Sequence, residues 1–319
     1  MELNICPSCN SPDIVFVAHG IVAPWIIELC NESKMRFTKY LKCNNCTLAF
    51  FSYRYNENQM NSIYSTYRRG DYFKLRNKWE PWYRESENDP YGVEINPKNV
   101  ESRRQTMESV LRESKVQISQ SGSILDFGGD KGQFFPQDHK GKKYLLDPSI
   151  TNETDPRDDY GIDKINGLDK LKTRMNLILC CGVLEHLAFP RDALTDISKV
   201  LEIEGVFYFE VPLDGFKTRN FHSTDLYLKY LHFLSRRIRA FILLDFLTGV
   251  YRTLFRRIPI LGIVKQSEHI NYFNRKSCME LIEPLFHLLH LTREDRGKRQ
   301  GIYKLGFIGG VASPKETFK

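Results

Sequence analysis

The sequence predicts an α/β fold built on a doubly wound parallel sheet, with a cysteine-rich module at its N-terminal end. Three observations lead there. Between residues 122 and 213 short apolar runs alternate with helical patterns, as strands joined by crossover helices require. A glycine-rich turn, Gly128-Gly129-Asp130-Lys131-Gly132, directly follows the first apolar run, Ile124-Leu125-Asp126-Phe127. Two Cys-x-x-Cys pairs, Cys6/Cys9 and Cys43/Cys46, stand within the first 55 residues.

The strands are expected at Ser123–Phe127, Lys143–Leu146, Ile162–Ile165, Asn176–Cys180 and Gly205–Val211. Rich in Leu, Ile, Val and Phe without alternation, they suit a sheet covered on both faces. The main crossover helix is expected at Pro190–Leu201, where Ala193, Leu194, Ile197, Val200 and Leu201 form an apolar stripe. The glycine turn lets a ligand approach the backbone, because Gly lacks the Cβ that would stand in its way. Asp147 ends the next strand, 21 residues after Asp126, where a carboxylate can grip ribose hydroxyls. The pattern therefore points to a nucleoside-like cofactor. Glycine spacing then excludes two kinds. From Gly128, the dinucleotide fingerprint would need Gly where Asp130 and Gln133 stand, and no Gly-Lys-Ser/Thr run makes a P-loop.

What fits is Asp-x-Gly-x-x-x-Gly, with Asp126, Gly128 and Gly132 in register. This resembles motif I of the class I S-adenosylmethionine (SAM)-dependent methyltransferases, Asp/Glu-x-Gly-x-Gly-x-Gly, with Asp130 in place of the middle Gly. Leu177–Leu187, containing Leu184-Glu185-His186, is similar to that family's fourth strand and the helix start after it, although Asn176 stands where an Asp often opens the strand. Leu201-x-x-x-Gly205 and the apolar run to Pro212 are similar to its turn into strand five. The resemblance implies a Rossmann-like, seven-stranded doubly wound sheet and SAM as cofactor. It also implies that Gly128 and Gly132 admit SAM, that Asp126 orders the loop beside Phe127 and Gly129, and that Asp147 takes the ribose. Asn166, within Ile165–Leu168, would be the polar contact of the adenine.

Length and composition set the wider frame. The 319 residues accommodate a large domain with an appendage, or two domains. A composition 41% hydrophobic and 27% charged is that of a soluble globular protein. The net charge of +7 permits an anionic partner without demanding one. The N-terminus lacks a signal-peptide layout, and no apolar run reaches the roughly 18 residues of a membrane-spanning helix, so a cytoplasmic location is expected.

In order, residues 1–55 read as a zinc module. Cys6, Cys9, Cys43 and Cys46 would hold one structural Zn²⁺ tetrahedrally, the alternative being a set of reduced or redox-active thiols. The 33 residues between Cys9 and Cys43 exceed the usual spacing and are expected to loop out. Short β-type runs, Ile14–Val17 and Leu48–Phe51, follow the two pairs; Cys30 reads as a core residue and His19 as a weak substitute ligand. Residues 56–118 read as a helical linker rich in Tyr and Trp, the rings either joining the module to the main domain or roofing the ligand crevice. It ends in a helix from Pro97 to Lys115 expected to lie across the edge of the cofactor domain, whose core is residues 119–213.

Residues 214–266 carry ten Lys/Arg against Asp214, Asp225 and Asp245, interleaved with aromatic and aliphatic runs. They read either as a helical lid or as an amphipathic pair at an anionic membrane surface. Nucleic acid is disfavoured, because the rings sit in apolar company. Residues 267–319 complete the core, with a helix expected over Arg275–Leu289 and a strand over Ile302–Val311. The run Glu268-His269-Ile270-x-Tyr272-Phe273 and the two Cys-x-x-Cys pairs resemble a subgroup of these methyltransferases, some of which act on sugars attached to nucleotides.

Methyl transfer needs an aligned acceptor and a base to take its proton, usually His near neutral pH. His186 follows strand four at the ligand end of the sheet and His269 lies after the basic segment, each beside a Glu, Glu185 or Glu268. His186 also reads as a helix cap or pocket residue. The expectation is a SAM-dependent methyltransferase of a small polar acceptor, a sugar or nucleotide sugar. The alternatives are a membrane-associated lipid or isoprenoid acceptor, or a non-catalytic scaffold.

Overall fold

A computed structural model describes residues 1–67, 70–83, 97–130, 132–148, 161–299 and 303–315. Its larger sheet has seven strands: β4 (Ile124–Phe127), β5 (Lys143–Leu146), β6 (Ile162–Ile165), β7 (Met175–Cys181), β8 (Leu201–Pro212), β11 (Phe286–Arg299) and β12 (Tyr303–Pro314). Their order is β11-β12-β8-β7-β4-β5-β6. Neighbours among β4 to β8 are parallel, and β12 runs antiparallel to both β8 and β11. From β4 the chain winds outward to β5 and β6, then returns to place β7 and β8 on the other side. That reversal opens a crevice beyond the C-terminal ends of β4 and β7, where ligands of such sheets bind.

Both faces are covered. Helix α4 (Pro97–Glu113) sets Met107, Val110 and Leu111 against Ile124, Leu177, Leu179 and Tyr208. It lies on a face of the sheet, not across its edge as expected, because this apolar stripe matches the central strands. Helix α5 (Pro190–Val200) covers the opposite face through Leu194 and Ile197. Asn176 replaces an acid without loss of the joint it makes: its side-chain oxygen accepts the Ser123 amide at 2.9 Å, tying the starts of β7 and β4.

The residues expected to loop out between the cysteine pairs instead build a second, five-stranded sheet. It contains β1 (Ile14–Val22), β2 (Phe37–Cys43) and β3 (Ala49–Phe51), with helix α1 (Pro24–Leu29) between the first two. Two short strands from far along the chain, β9 (Lys265–Gln266) and β10 (Asn271–Tyr272), close it in the order β10-β3-β2-β1-β9. Apolar side chains explain the strand pairing: Ala18, Ile21, Val22, Tyr40 and Phe51 share one core with Trp25 and Ile26. Helices α2 (Glu57–Tyr64) and α3 (Gly70–Trp79) join that core through Ile63, Tyr72 and Trp79. Trp25 and Tyr72 meet edge to face at 4.9 Å, which packs the aromatic segment onto the N-terminal module. Arg191 of α5 grips the first cysteine knuckle, donating Nε and Nη2 to the Ser8 carbonyl at 2.9 and 2.6 Å.

The basic segment forms helices α6 (Asp225–Ser235) and α7 (Ile238–Phe255). Their inner sides, including Tyr227, Leu231, Leu234 and Phe241, are buried in the core of the second sheet. Helix α8 (Arg275–Ile282) is shorter than expected. Pro284 cannot continue a helix, and Phe286 already opens β11. The last strand extends past Val311 to Pro314, while Ile302 lies outside the described residues.

The two sheets are joined by side chains that no solvent reaches. Arg54 is fully buried and its Nη1 donates to Asn271 Oδ1 at 2.9 Å. Asn271 Nδ2 donates in turn to the carbonyls of Leu184 and Leu187, at 3.2 and 2.8 Å, in the turn after β7. Asn271→Ala would leave one buried donor and two carbonyls without this partner. It is expected to cost about 2–4 kcal/mol of stability. Thermal denaturation checks this, and an unchanged melting temperature would rule out the joint as a stabilising one.

Candidate active site

The turn after β4 begins with Gly128 at φ 72° and ends with Gly132 at φ 69°, both left-handed. A Cβ on Gly128 would stand 2.5 Å from Val183, and one on Gly129 2.1 Å from the Asp126 carboxyl carbon. Asp130 takes φ 52°, the conformation for which glycine is usually needed and which Asp tolerates better than most residues. Its amide donates to Asp147 Oδ2 at 2.9 Å, holding the turn against the tip of β5. Asp126 is fully buried, and neither carboxylate oxygen has a hydrogen-bond partner among the described residues. Burial and the nearby Asp147 push its pKa up to about 8, against the pull of Arg103. Asn166 is exposed one position beyond Ile165, which lies opposite Leu146; it therefore sits beside the tip that carries Asp147.

The second half of the site adjoins the first through Val183. Beyond β7, Gly182 turns at φ 74° and is followed by Val183, Leu184, Glu185 and His186. His269 arrives from the loop between β9 and β10. The His186 and His269 rings meet edge to face with centroids 4.6 Å apart. Donor atoms of Glu185, His186 and His269 all lie within 4.8 Å of one another. Each ring is oriented at Nδ1: His186 donates to the Glu268 carbonyl at 3.1 Å, and His269 to Asp214 Oδ2 at 2.6 Å. Both Nε2 atoms are thereby left as the unprotonated nitrogens of the neutral rings.

Electrostatics divide the acids here into two kinds. Burial raises Glu185 to about 7, and its Oε2 has no hydrogen-bond partner among the described residues. Burial acts the same way on Glu268, but Arg76 and the Tyr72 hydroxyl overcome it and hold that carboxyl at about 2. Arg76 Nη1 reaches Glu268 Oε1 at 2.5 Å. For His269, burial works to lower the pKa, yet Asp214, Glu185 and Glu268 together raise it above its ordinary value. The Tyr64 ring stands edge-on to His186 at 5.8 Å, and Tyr67 lies next to Tyr64 at 5.3 Å. Some of the aromatic segment therefore does flank the crevice.

A family model described as a methyltransferase domain matches residues 91–283, more than half of the chain. The chain belongs to this methyltransferase family. No curated protein matches it. Among solved structures, it is similar to a protein from Pyrococcus horikoshii at 14% identity, covering 73% of this chain and all of that one, with TM-score 0.40. It is similar also to magnesium protoporphyrin IX methyltransferase from Synechocystis, with S-adenosylhomocysteine bound, at 12% identity, 69% and 90% coverage and TM-score 0.38. The N-methyltransferase NodS from Bradyrhizobium japonicum matches at 10% identity, 70% and 100% coverage and TM-score 0.36. The enzyme is a SAM-dependent methyltransferase.

The methyltransferase carries one more cluster. Sγ atoms of Cys6 and Cys46 lie 3.5 Å apart, those of Cys9 and Cys43 3.6 Å, and all four fall within 4.8 Å of one another. Sulfurs tetrahedral about one Zn²⁺, bonded at about 2.3 Å, stand about 3.8 Å apart. The thiols are thus spaced for a metal, and the Cys46 amide already donates to Cys43 Sγ at 3.4 Å. Cys30 is not among them; it packs half-buried against the second core, as does the strand that carries His19.

Three polar residues of the crevice carry no motif in the sequence that marks them as site residues: Asp214, Glu210 and Arg103. Asp214 stands in sequence among the acids of the basic segment, although it lies two residues beyond β8 at the ligand end of the sheet, a position that could have exposed it. Arg103 of α4 pairs with buried Glu210 at 3.0 Å across the sheet, a contact with no local signature.

The buried Asp126 carboxyl makes a pH test possible. Its folded pKa of about 8 lies above the ordinary 3.8, so folding takes up a proton between those values. Its contribution to stability therefore falls as pH rises from about 4 to about 8. Asp126→Asn carries no such group. Its melting temperature relative to the parent is expected to improve from pH 5 to pH 8; a pH-independent difference would contradict the raised pKa.

Proposed function

We propose that the protein transfers the methyl group of SAM to a sugar or nucleotide-linked sugar, with His269 as the base that Asp214 orients. The observation that carries this is the Asp214–His269 pair, set beside His186 and Glu185 and joined to the glycine turn through Val183. Bound SAM supplies an electrophilic methyl carbon on a cationic sulfonium.

Gly128, Gly129 and Gly132 make the turn that admits the cofactor, and Asp147, held by the Asp130 amide, takes the ribose hydroxyls. Phe127 and Asn166 border the nucleoside. Asp126 suits a cationic ligand: a buried carboxyl without a hydrogen-bond partner gains most from a positive charge brought near it. On the acceptor side, the Asp214 carboxylate keeps the proton of His269 on Nδ1, so Nε2 is free to receive the acceptor's proton. Asp214 also stabilises the imidazolium that results. His186 and Glu185 supply further hydrogen bonds to an acceptor rich in hydroxyls, and Tyr64 and Tyr67 a wall for the face of a sugar ring. The polar groups in this crevice would stay unsatisfied beside an apolar acceptor, which favours the sugar over a lipid.

His269→Gln is expected to lower turnover by about 10²–10⁴-fold with SAM affinity unchanged. Because the base must be neutral, activity rises with pH through a His269 pKa held above the ordinary value by Asp214, Glu185 and Glu268. Asp214→Asn should reduce the maximal rate and move that rise to lower pH. A pH profile unmoved by Asp214→Asn would remove His269 as the base. A turnover screen of SAM with nucleotide sugars, read by S-adenosylhomocysteine release, tests the acceptor class. Absence of both SAM binding and product would leave the scaffold reading.

The four cysteines are proposed to hold one structural Zn²⁺. Cys43 ends β2, and the Cys46 turn leads into β3, whose Phe50 pairs with Asn271, two residues from His269. Stripping the metal with a chelator, or Cys43→Ser, is expected to cost several kcal/mol of stability. It should also reduce turnover, restored by added Zn²⁺ in the chelated parent only. A protein purified without metal and indifferent to chelator would have reduced thiols there instead.

A further inference from the structure

Helix α7 is apolar on both sides. Phe241, Asp245 and Thr248 face the protein interior, while Leu243, Phe246, Leu247, Val250 and Leu254 on its other side are each 41–59% exposed. A helix at a water-facing surface carries polar residues there; this one offers water a nearly continuous aliphatic and aromatic strip. Trp82 extends the strip, its ring 5.1 Å from that of Phe246, and together they border an open groove of about 350 Å³ with Ile242 and Leu243.

The strip ends in positive charge at both extremities. Arg236, Arg237 and Arg239 are exposed at the N-terminal end, and Arg256 and Arg257 at the C-terminal end. Between these groups the 18 residues of α7 extend about 27 Å. No helix among the described residues is long and apolar enough to cross a membrane. We propose that α7 lies along an anionic bilayer surface, its outer side chains in the boundary between headgroups and acyl chains and its terminal arginines on lipid phosphates.

The charge distribution selects this occupant. A second copy of the chain, paired through a two-fold axis, would bring one arginine-bearing end of α7 against another in either helix orientation, with no acid on the exposed strip to offset them. A nucleic acid would satisfy the arginines but would have to lay its phosphates over leucine and valine. An anionic bilayer satisfies both: phosphates at the two ends and hydrocarbon beneath the middle. Trp82 is placed as such rings are at membrane interfaces, with part of its surface apolar and buried and part exposed. The inference does not depend on the acceptor or on the base assigned above, since none of these residues lies in the crevice cluster.

The test is flotation of the full-length protein with vesicles of phosphatidylcholine alone or with one third phosphatidylglycerol. Flotation with the anionic vesicles, weakened by salt, is expected. The double variant Leu243→Ser/Leu247→Ser, and separately Arg236→Gln/Arg237→Gln, should each lower the bound fraction at least about tenfold. SAM binding, measured alongside, should be unchanged in both, since the substituted side chains are exposed. Failure of the parent to float, or flotation indifferent to both variants, would overturn the proposal. So would a dimer in sedimentation that Leu243→Ser/Leu247→Ser dissolves without any vesicle binding, which would mark an interface between copies. Retention of nucleic acid in preference to anionic vesicles would overturn it as well.

Discussion

The carbonyl of Glu185 accepts two backbone amides, those of Ile270 and Asn271, each at 3.0 Å, and the crevice depends on that junction. Glu185 belongs to the turn after β7 of the large sheet. Asn271 opens β10 of the small sheet and Ile270 directly precedes it; β9 and β10 are pinned on opposite edges of that sheet by β1 and β3. Residues 267–270 therefore span a gap whose two ends are fixed, and the loop carrying Glu268 and His269 has little freedom. The N-terminal module is thus more than an appendage. It supplies the strands that hold one wall of the site.

A buried charge network reinforces the same loop. Arg76 of α3 bonds both Glu80 and Glu268, and Lys265 bonds Glu80 at 2.6 Å and also Asp245 of α7. Taking such charges out of water is costly unless every partner is in place, and loss of one leaves the others stranded. The consequence is a single arrangement of α3, α7 and the β9–β10 loop. It also keeps Glu268 ionised, so that its negative charge adds to that of Asp214 around His269. The two histidines are then held differently, one by a backbone carbonyl and one by a carboxylate, though their rings touch.

Some of this was legible in the residues. The glycine turn, Asp147 and the Glu185-His186 pair are short-range features, each within a few positions of a strand end, and their approximate positions follow from that. Asp130 shows the limit of motif reading. It stands where the motif has glycine, yet it takes the left-handed conformation that glycine would and uses its amide to brace Asp147. The role of Asp214 was hidden for another reason. It is separated from His269 by the whole α6–α7 hairpin, and no local pattern connects them. The helix expected over Arg275–Leu289 ends at Ile282, because Pro284 and the pairing of β11 with β12 take over the rest.

The sequence alone determined the doubly wound sheet, the order of its motifs and the two cysteine pairs, because strand alternation, glycine turns and ligand spacing act over a few residues. Tertiary structure decided what those parts are assembled into. The residues between the cysteine pairs became a second sheet because strands more than 220 residues further along the chain complete it, an event whose favourable terms are long-range hydrogen bonds and shared apolar burial. The same long-range pairing brought His269 to His186, Asp214 to His269, and one apolar side of α7 into the core while leaving the other outside.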